Sequence, residues 1–264
     1  MKKVIMSAVM PAKRSAIFLF PHQDDEVGIF QKIVDELKDE NEVFCLFFTR
    51  ASNEKKNSTR NFESKNVLLS YGVKQENILF VGQSLGIEDK CLHKHIHQAY
   101  QWLKDWLAGH TDVSNIYVPA WEGGHPDHDC LNAITAKLAS QASIKGKIWQ
   151  FPLYNSRNCP PYFYRIQSAL IANGTIKKSP ISFRNRMRFI KSCLGYPSEA
   201  IAWVGLFPFF FFNYLVRGHQ ILQPINTDHI FLRPHDGQLY YEVRKFGTWD
   251  DVSRAVLSLT NRGQ

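Results

Sequence analysis

Ser15-Ala-Ile-Phe-Leu-Phe-Pro-His-Gln-Asp-Asp-Glu26 is an apolar run that stops at a proline and releases a histidine and three consecutive acids. Residues 16–20 have the length and apolarity of a strand buried on both faces. Val27, Phe30, Ile33, Val34 and Leu37 then recur at helical spacing. The polar cluster therefore falls where a strand ends and a helix begins, and in open parallel sheets ligands bind outside the carboxyl ends of the strands. A helix starting near Asp24 turns His22 and Asp25 toward one point and lets Asp24 project beside them. That arrangement suits a metal ion with a base next to it.

A second stretch matches the first. Asn115-Ile-Tyr-Val-Pro-Ala120 reads as another short buried strand, Trp121-Glu-Gly-Gly124 loosens the chain, and His125-Pro-Asp-His128 precedes Leu131, Ile134 and Leu138 at helical spacing. Two close ligands near the N-terminus and a third roughly a hundred residues later, with one position left for water, is a common assembly of catalytic zinc sites. The short Cys and His pairs of structural zinc sites are absent from the sequence.

Pro21-His-Gln-Asp-Asp-Glu26 and Gly124-His-Pro-Asp-His-Asp129 closely resemble the two signature motifs of the LmbE-like (PIG-L) family of zinc-dependent N-acetylglucosaminyl deacetylases. The first departs at Gln23, where the family usually has proline, and a looser loop is expected there. Arg60-Asn-Phe-Glu63 with the following Leu-Leu-Ser-Tyr-Gly-Val73 resembles the family's Arg-x-x-Glu helix. Phe151-Pro-Leu-Tyr-Asn155 is similar to its fifth strand, and 191–199 to a Lys, Tyr, Ser-Gln pattern. Thr49-Arg-Ala-Ser-Asn-Glu-Lys-Lys56 lacks the glycine of the family's Thr-x-Gly-type loop. The likeness is good over 15–155 and thin beyond.

The resemblance implies an α/β fold, a Rossmann-like mostly parallel sheet flanked by helices. It also implies one domain over 1–264, with both motifs in a core at 1–155 and a C-terminal elaboration at 156–264. It implies one catalytic Zn2+, or another divalent metal, on His22, Asp25 and His128. Asp24 is then the general base, and His125 stands beside the substrate carbonyl as oxyanion stabiliser or acid. Asp127 orients the His125 ring and is expected to keep it protonated. The implied activity is removal of an N-acetyl group from an N-acetylglucosamine-type sugar in glycan or glycolipid precursor synthesis. Alternatives are an amidase for a different acyl group or a thiol-sugar conjugate, and a non-catalytic membrane-associated binding protein.

Other residues have competing readings. Glu26 reads as a capping or supporting carboxylate. Arg60 either contacts the sugar or its phosphate, by family analogy, or makes a helix salt bridge with Glu63. Asp89 is a candidate for a sugar hydroxyl. His93, His95 and His97 diverge on a helical approach and read as solvated surface.

The 264 residues suffice for one α/β domain with a sizeable core, and a hydrophobic fraction of 44% excludes general disorder. Cys45, Cys91, Cys130, Cys159 and Cys193 are odd in number and widely spread, so they read as reduced thiols of a cytoplasmic protein. Residues 1–10 imitate a signal peptide, but Pro11, Lys13 and Arg14 cut the apolar run short, and the chain reads as not exported. The net charge of +8 favours anionic partners, a nucleotide-linked or lipid-linked sugar or a membrane face. No recognised nucleic-acid-binding motif is present, so nucleic acid is not expected as a partner. A homo-oligomer is left open.

In chain order the expectation is a helix at 25–38, strands at 42–48 and 77–81, and a loop at 53–60 with Ser58 capping the next helix. A loop at 82–90, a helix at 92–108 closed by Gly109, and a strand at 147–151 follow. Alternating strand and helix calls for a parallel sheet. Residues 154–164 read as a rim loop. The segment 200–216 is uncharged, holds Pro208 and is short for a membrane span. It reads either as packed core or as an interfacial element at the inner face of a membrane, with Arg184, Arg186, Arg188 and Lys191 on headgroups.

Overall fold

The structure, a computed structural model, describes residues 13–139 and 144–261. The signal-peptide-like start at 1–10 lies outside the described residues. Strands and helices alternate through β1 (Ser15–Phe20), α1 (Phe30–Lys38), β2 (Glu42–Phe47), α2 (Glu54–Tyr71), β3 (Ile78–Phe80), α3 (Val81–Leu85), α4 (Ile96–Ala108), β4 (Val113–Pro119), α5 (Pro126–Leu138) and β5 (Ile148–Phe151). The chain continues through β6 (Tyr154–Asn155), β7 (Arg165–Ile166), β8 (Lys177–Pro180), α6 (Phe183–Cys193), α7 (Ala200–Phe212), β9 (His219–Pro224), α8 (Tyr240–Val243) and α9 (Trp249–Asn261).

Seven strands form one sheet in the order β3-β2-β1-β4-β5-β9-β8. The first five run parallel, and β9 and β8 extend the sheet antiparallel. The mostly parallel, helix-flanked sheet expected from the alternation is present, and the C-terminal stretch adds its last two strands. Ala16 to Phe20 are all buried, and successive side chains enter opposite layers. Ile17 and Leu19 join α4, α5 and α9 on one face; Ala16, Phe18 and Phe20 join α1, α2 and α6 on the other. Ile17, Phe18, Leu19 and Phe20 each contribute about 1.5–3 kcal/mol relative to exposure, so β1 is the sheet's apolar axis.

The strand order decides where chemistry can occur. After β1 the chain moves to β2 on one side; β4, the other neighbour of β1, is reached later and leads to β5. The carboxyl ends of β1 and β4 therefore border the topological switch point, where the diverging connections leave a crevice. Both motifs follow these two strands.

Several local expectations are corrected. The helix expected over 25–38 is a 3-10 turn at Asp25–Gly28 followed by α1, with Ile29 (φ −143) between them. The Gly28 carbonyl, which a continuous helix would use, accepts from Gln167 Nε2 at 3.2 Å and Gln220 Nε2 at 2.8 Å. A Cβ at Gly28 would stand 2.3 Å from Leu153 Cδ2 and 3.2 Å from Phe151 Cδ2, so a larger residue would push those side chains aside. Helix α2 begins before Ser58, because the Asn53 side chain accepts from Lys56 N at 3.0 Å. The loop expected at 82–90 starts as the short helix α3, and Gly109 closes α4 at φ −80 instead of in the left-handed conformation. The rim loop expected at 154–164 opens from β6, which pairs antiparallel with β7.

Candidate functional site

The first motif is held by the end of the sheet. The Pro21 carbonyl accepts from both Thr49 N–H, at 2.9 Å, and Thr49 Oγ1, at 2.8 Å. Gln23, expected to loosen the loop, does the opposite: its side chain is buried and donates to Asn61 Oδ1 at 2.7 Å on α2. The next residue, Asp24, has φ 110, a left-handed conformation that costs a non-glycine residue roughly 1–3 kcal/mol. Two contacts brace it. Its N–H donates to Glu26 Oε2 at 2.9 Å, and the Arg60 guanidinium donates to the Gln23 carbonyl at 3.1 Å while standing 3.9 Å from Asp24 Oδ1.

The second motif sits on α5 itself, one turn earlier than the sequence expectation. Pro126 opens the helix, and His125 caps it, its Nδ1 accepting the Asp127 N–H at 3.2 Å. His128 thus lies in the first turn, fully buried.

The two motifs meet. His22 Nδ1 lies 3.2 Å from Asp25 Oδ2, His128 Nε2 lies 3.1 Å from Asp25 Oδ1, and the two ring nitrogens are 3.3 Å apart. Zinc–ligand bonds of about 2.0–2.1 Å in tetrahedral geometry set neighbouring ligand atoms roughly 3.3 Å apart, so these three side chains fit a zinc ion. The other nitrogen, His22 Nε2, lies 3.2 Å from Asp127 Oδ2 and 3.1 Å from Asp89 Oδ1. A carboxylate on the far nitrogen is the support a metal-binding histidine needs, because it fixes which nitrogen keeps its lone pair.

A second group, His22, Asp89, His125 and Asp127, also lies within metal-binding reach. Its Asp127 carboxylate is already occupied, accepting from Lys90 N–H at 2.6 Å and Leu92 N–H at 3.0 Å. The His22, Asp25 and His128 side is the better ion site: Asp25 Oδ2 accepts the His22 N–H at 2.8 Å, but Asp25 Oδ1, His22 Nδ1 and His128 Nε2 converge with no backbone N–H on them.

The place of Asp127 changes the expectation for His125. Its carboxylate stands 3.8 Å from His125 Nδ1, and the N–H that reaches this nitrogen is Asp127's own backbone. Burial and the neighbouring His22 push His125 down to about 3, so the ring is neutral at pH 7 and not held protonated. With Nδ1 accepting, its proton sits on Nε2. Asp24 shows the opposite shift: burial raises it well above the usual carboxylate range, and Arg60 offsets this only in part. Burial would also raise Asp25, but His128 and His22 hold it well below. Asp89 is held low against its burial by the His22 and His125 rings.

These groups line a cavity of ≈ 270 Å³, whose wall includes residues the sequence reading had not singled out: Lys56, Lys90, Tyr154, Glu199, Phe210 and Phe246. Glu199 Oε1 takes Lys56 Nζ at 2.9 Å and Arg60 Nε at 3.3 Å. The helix salt bridge between Arg60 and Glu63 is not formed: Glu63 accepts from Ser198 N–H at 3.0 Å and Ser198 Oγ at 2.5 Å. Tyr196 OH donates to Glu26 Oε1 at 2.9 Å, and burial raises Glu26 to about 7. The pattern noticed at 191–199 is thus the signal that leads to Glu199. His93, His95 and His97 join no metal-binding group among the described residues.

A mostly parallel sheet with a buried His and Asp cluster at its switch point defines a Rossmann-like α/β protein with a metal-type polar centre. Residues 17–139 match the PIG-L family, described as GlcNAc-PI de-N-acetylase, and this part of the chain is a PIG-L (LmbE-like) domain. Among solved structures, the chain is similar to the deacetylase–bog complex of the teicoplanin biosynthesis pathway, at 14% identity and TM-score 0.59 over 80% of this chain and 97% of that one. It is also similar to the N,N'-diacetylchitobiose deacetylase of Pyrococcus horikoshii, at 14% identity and TM-score 0.52 over 84% and 88%. A conserved protein of Thermus thermophilus aligns at 15% identity and TM-score 0.54 over 80% and 93%. At such identities the likeness carries the fold. No curated protein matches the chain in sequence.

Proposed function

We propose that this chain is a zinc-dependent hydrolase that removes the acetyl group from an N-acetylglucosamine-type sugar in glycan or glycolipid precursor synthesis. The observation that carries the reading is the convergence of His22 Nδ1, the Asp25 carboxylate and His128 Nε2 at 3.1–3.3 Å beside the raised carboxylate of Asp24. The family match over 17–139 and the deacetylases among similar folds support it.

A zinc ion held by His22, Asp25 and His128 would polarise the acetyl carbonyl and bring the pKa of a bound water toward neutrality. Asp24 accepts the proton of the attacking water on its carboxylate and returns it to the amide nitrogen as the C–N bond breaks, leaving acetate and a free amine. Its raised pKa makes that return easier than for an ordinary aspartate. His125, neutral, donates its Nε2–H to the carbonyl oxygen as negative charge develops there. Asp127 and Asp89 hold the His22 ring, and Arg60 braces the Asp24 turn. Asp89 Oδ2, 4.0 Å from Lys90 Nζ, with Arg60, Lys56 and Lys90 around the cavity, provides partners for sugar hydroxyls or a phosphate. The five free thiols support a cytoplasmic location, and the apolar helix α7 supports peripheral contact with a membrane.

The test is acetate release by zinc-loaded protein from free, nucleotide-linked and lipid-linked N-acetylglucosamine. At least one should be hydrolysed, with one zinc bound per chain; silence on all three, with zinc bound, removes the reading.

A further inference from the structure

We propose that the face built from α7, the π-helical turn Asn213–Arg217 and the strand Arg165–Ile166 docks on an anionic lipid bilayer. This deepens the peripheral contact named above, and it is measured without turnover.

The first observation is a helix of wholly apolar sequence that is left partly uncovered. Helix α7, Ala-Ile-Ala-Trp-Val-Gly-Leu-Phe-Pro-Phe-Phe-Phe-Phe, carries no charge and no preferred apolar face. Such a helix belongs in a core or in an apolar medium. Phe210 is 2% exposed and lines the cavity of the candidate site, but Phe209 is 46% exposed, Phe212 61% and Val216 71%. Phe209, Phe212 and Val216 line a groove of ≈ 380 Å³ together with Tyr164, Ile166, Asn213 and the exposed Arg165 and Arg217. Tyr162 and Phe163, beside it in sequence, are exposed as well.

The second observation is charge. Between residues 154 and 227 the chain has nine Lys and Arg and a single acid, Glu199, so this stretch carries the whole of the chain's +8. That acid is committed to Lys56 and Arg60 in the cavity wall. An exposed aromatic patch edged by arginines, with no free carboxylate in the same stretch, complements a surface of anionic headgroups over hydrocarbon. It is poorly matched to a second copy of itself, because a two-fold interface through this face would set the same arginines against one another.

Length decides how it sits. A span needs about 20 apolar residues, and no helix among the described residues is long and apolar enough to cross a membrane. The helix therefore lies in the interfacial plane, Phe209, Phe212 and Val216 below the headgroups, Arg165 and Arg217 among the phosphates. Phe209 in the groove and Phe210 in the cavity are consecutive, so the cavity is brought beside the lipid surface.

The experiment is co-sedimentation of the full chain with phosphatidylcholine vesicles, with and without phosphatidylserine, at low and high salt. The chain should bind the phosphatidylserine vesicles and be released by salt. Replacing both Arg165 and Arg217 by Gln should weaken binding by roughly fivefold per arginine. Phe209→Ser with Phe212→Ser should abolish binding, with the thermal midpoint and zinc content unchanged as evidence of folding. Equal binding to both vesicle types, or no binding, overturns the proposal. So does a salt-insensitive dimer in sedimentation that the same phenylalanine pair disrupts. Vesicle binding without acetate release would remove the deacetylase reading and leave this one standing.

Discussion

The loop after β1 carries Asp24, the turn at 196–199 reaches it through Arg60, and the two are held by different means. The loop after β1 hangs from the sheet: Pro21 is fixed by Thr49, Gln23 by α2, and His22 and Asp25 follow from the turn they share. The turn between α6 and α7 has no strand to hang from. Three of its side chains anchor it, Tyr196 on Glu26, Ser198 on Glu63 and Glu199 on Arg60 and Lys56. The β1–β2 ladder, carried on by the Thr49 N–H to the Pro21 carbonyl, anchors the first loop and its candidate donors, whereas the second rests on a side-chain latch alone that bears on the group beside them. Damage to the first should cost chemistry, metal or stability, and damage to the second should cost turnover alone.

The largest effect is expected at the Asp24 carboxylate. Asp24→Asn keeps the shape of the turn and removes the base, so acetate release should fall by about 10²–10⁴-fold while zinc stays bound, as read by metal analysis beside kinetics. Near-full activity would detach the loop from the chemistry altogether.

Stability should follow from the loop after β4. Glu122 is buried and accepts from Leu153 N–H at 2.6 Å, Tyr154 N–H at 2.9 Å and Asn155 Nδ2 at 3.1 Å, and its burial raises it from 4.5 to about 7. The unfolded chain therefore releases this proton first. Its contribution is full below about pH 4.5, declines as pH rises to about 7, and is worth about 3 kcal/mol across that window. Urea melts at several pH values should show the decline, and Glu122→Gln should show a shallower one, the part due to the likewise raised Glu26 remaining.

A smaller effect separates Asp127 from its expected partner. With its carboxylate on His22, Asp127→Asn should weaken zinc binding by about 10–100-fold, read by competition with a chelator. Unchanged zinc affinity with lost turnover would return Asp127 to His125. The smallest is Glu199→Ala, which frees Arg60 and Lys56. It should lower kcat by roughly 10-fold, leave zinc affinity intact, and be partly rescued by Gln. Loss of zinc in this variant would erase the contrast between ladder and latch.

Much of this was legible in the chain. The strand at Ser15–Phe20 and the motif after it announce themselves because burial on both faces demands an unbroken apolar run, and a proline and three acids must end it. The candidate metal donors His22, Asp25 and His128 could be named because their motifs resemble the family's, and the structure sets those donor atoms side by side. Other features escaped. The break at Ile29 depends on two glutamines that arrive far later in the chain, Gln167 and Gln220. The partner of Asp127 depends on how the loop at 89–92 wraps α5. The Phe-rich segment was open between core and interface because composition cannot say which side of an apolar helix meets solvent.

Sequence by itself determined which residue types end the two buried strands, and with them the chemistry on offer, because periodicity and breaker residues act locally. Tertiary structure alone decided that β1 and β4 are neighbours, that His22 takes Asp127, and that Glu199 reaches Arg60. Those pairings join residues 105 and about 140 positions apart, and whether they form is settled by which apolar faces bury one another, a free energy that no local window contains.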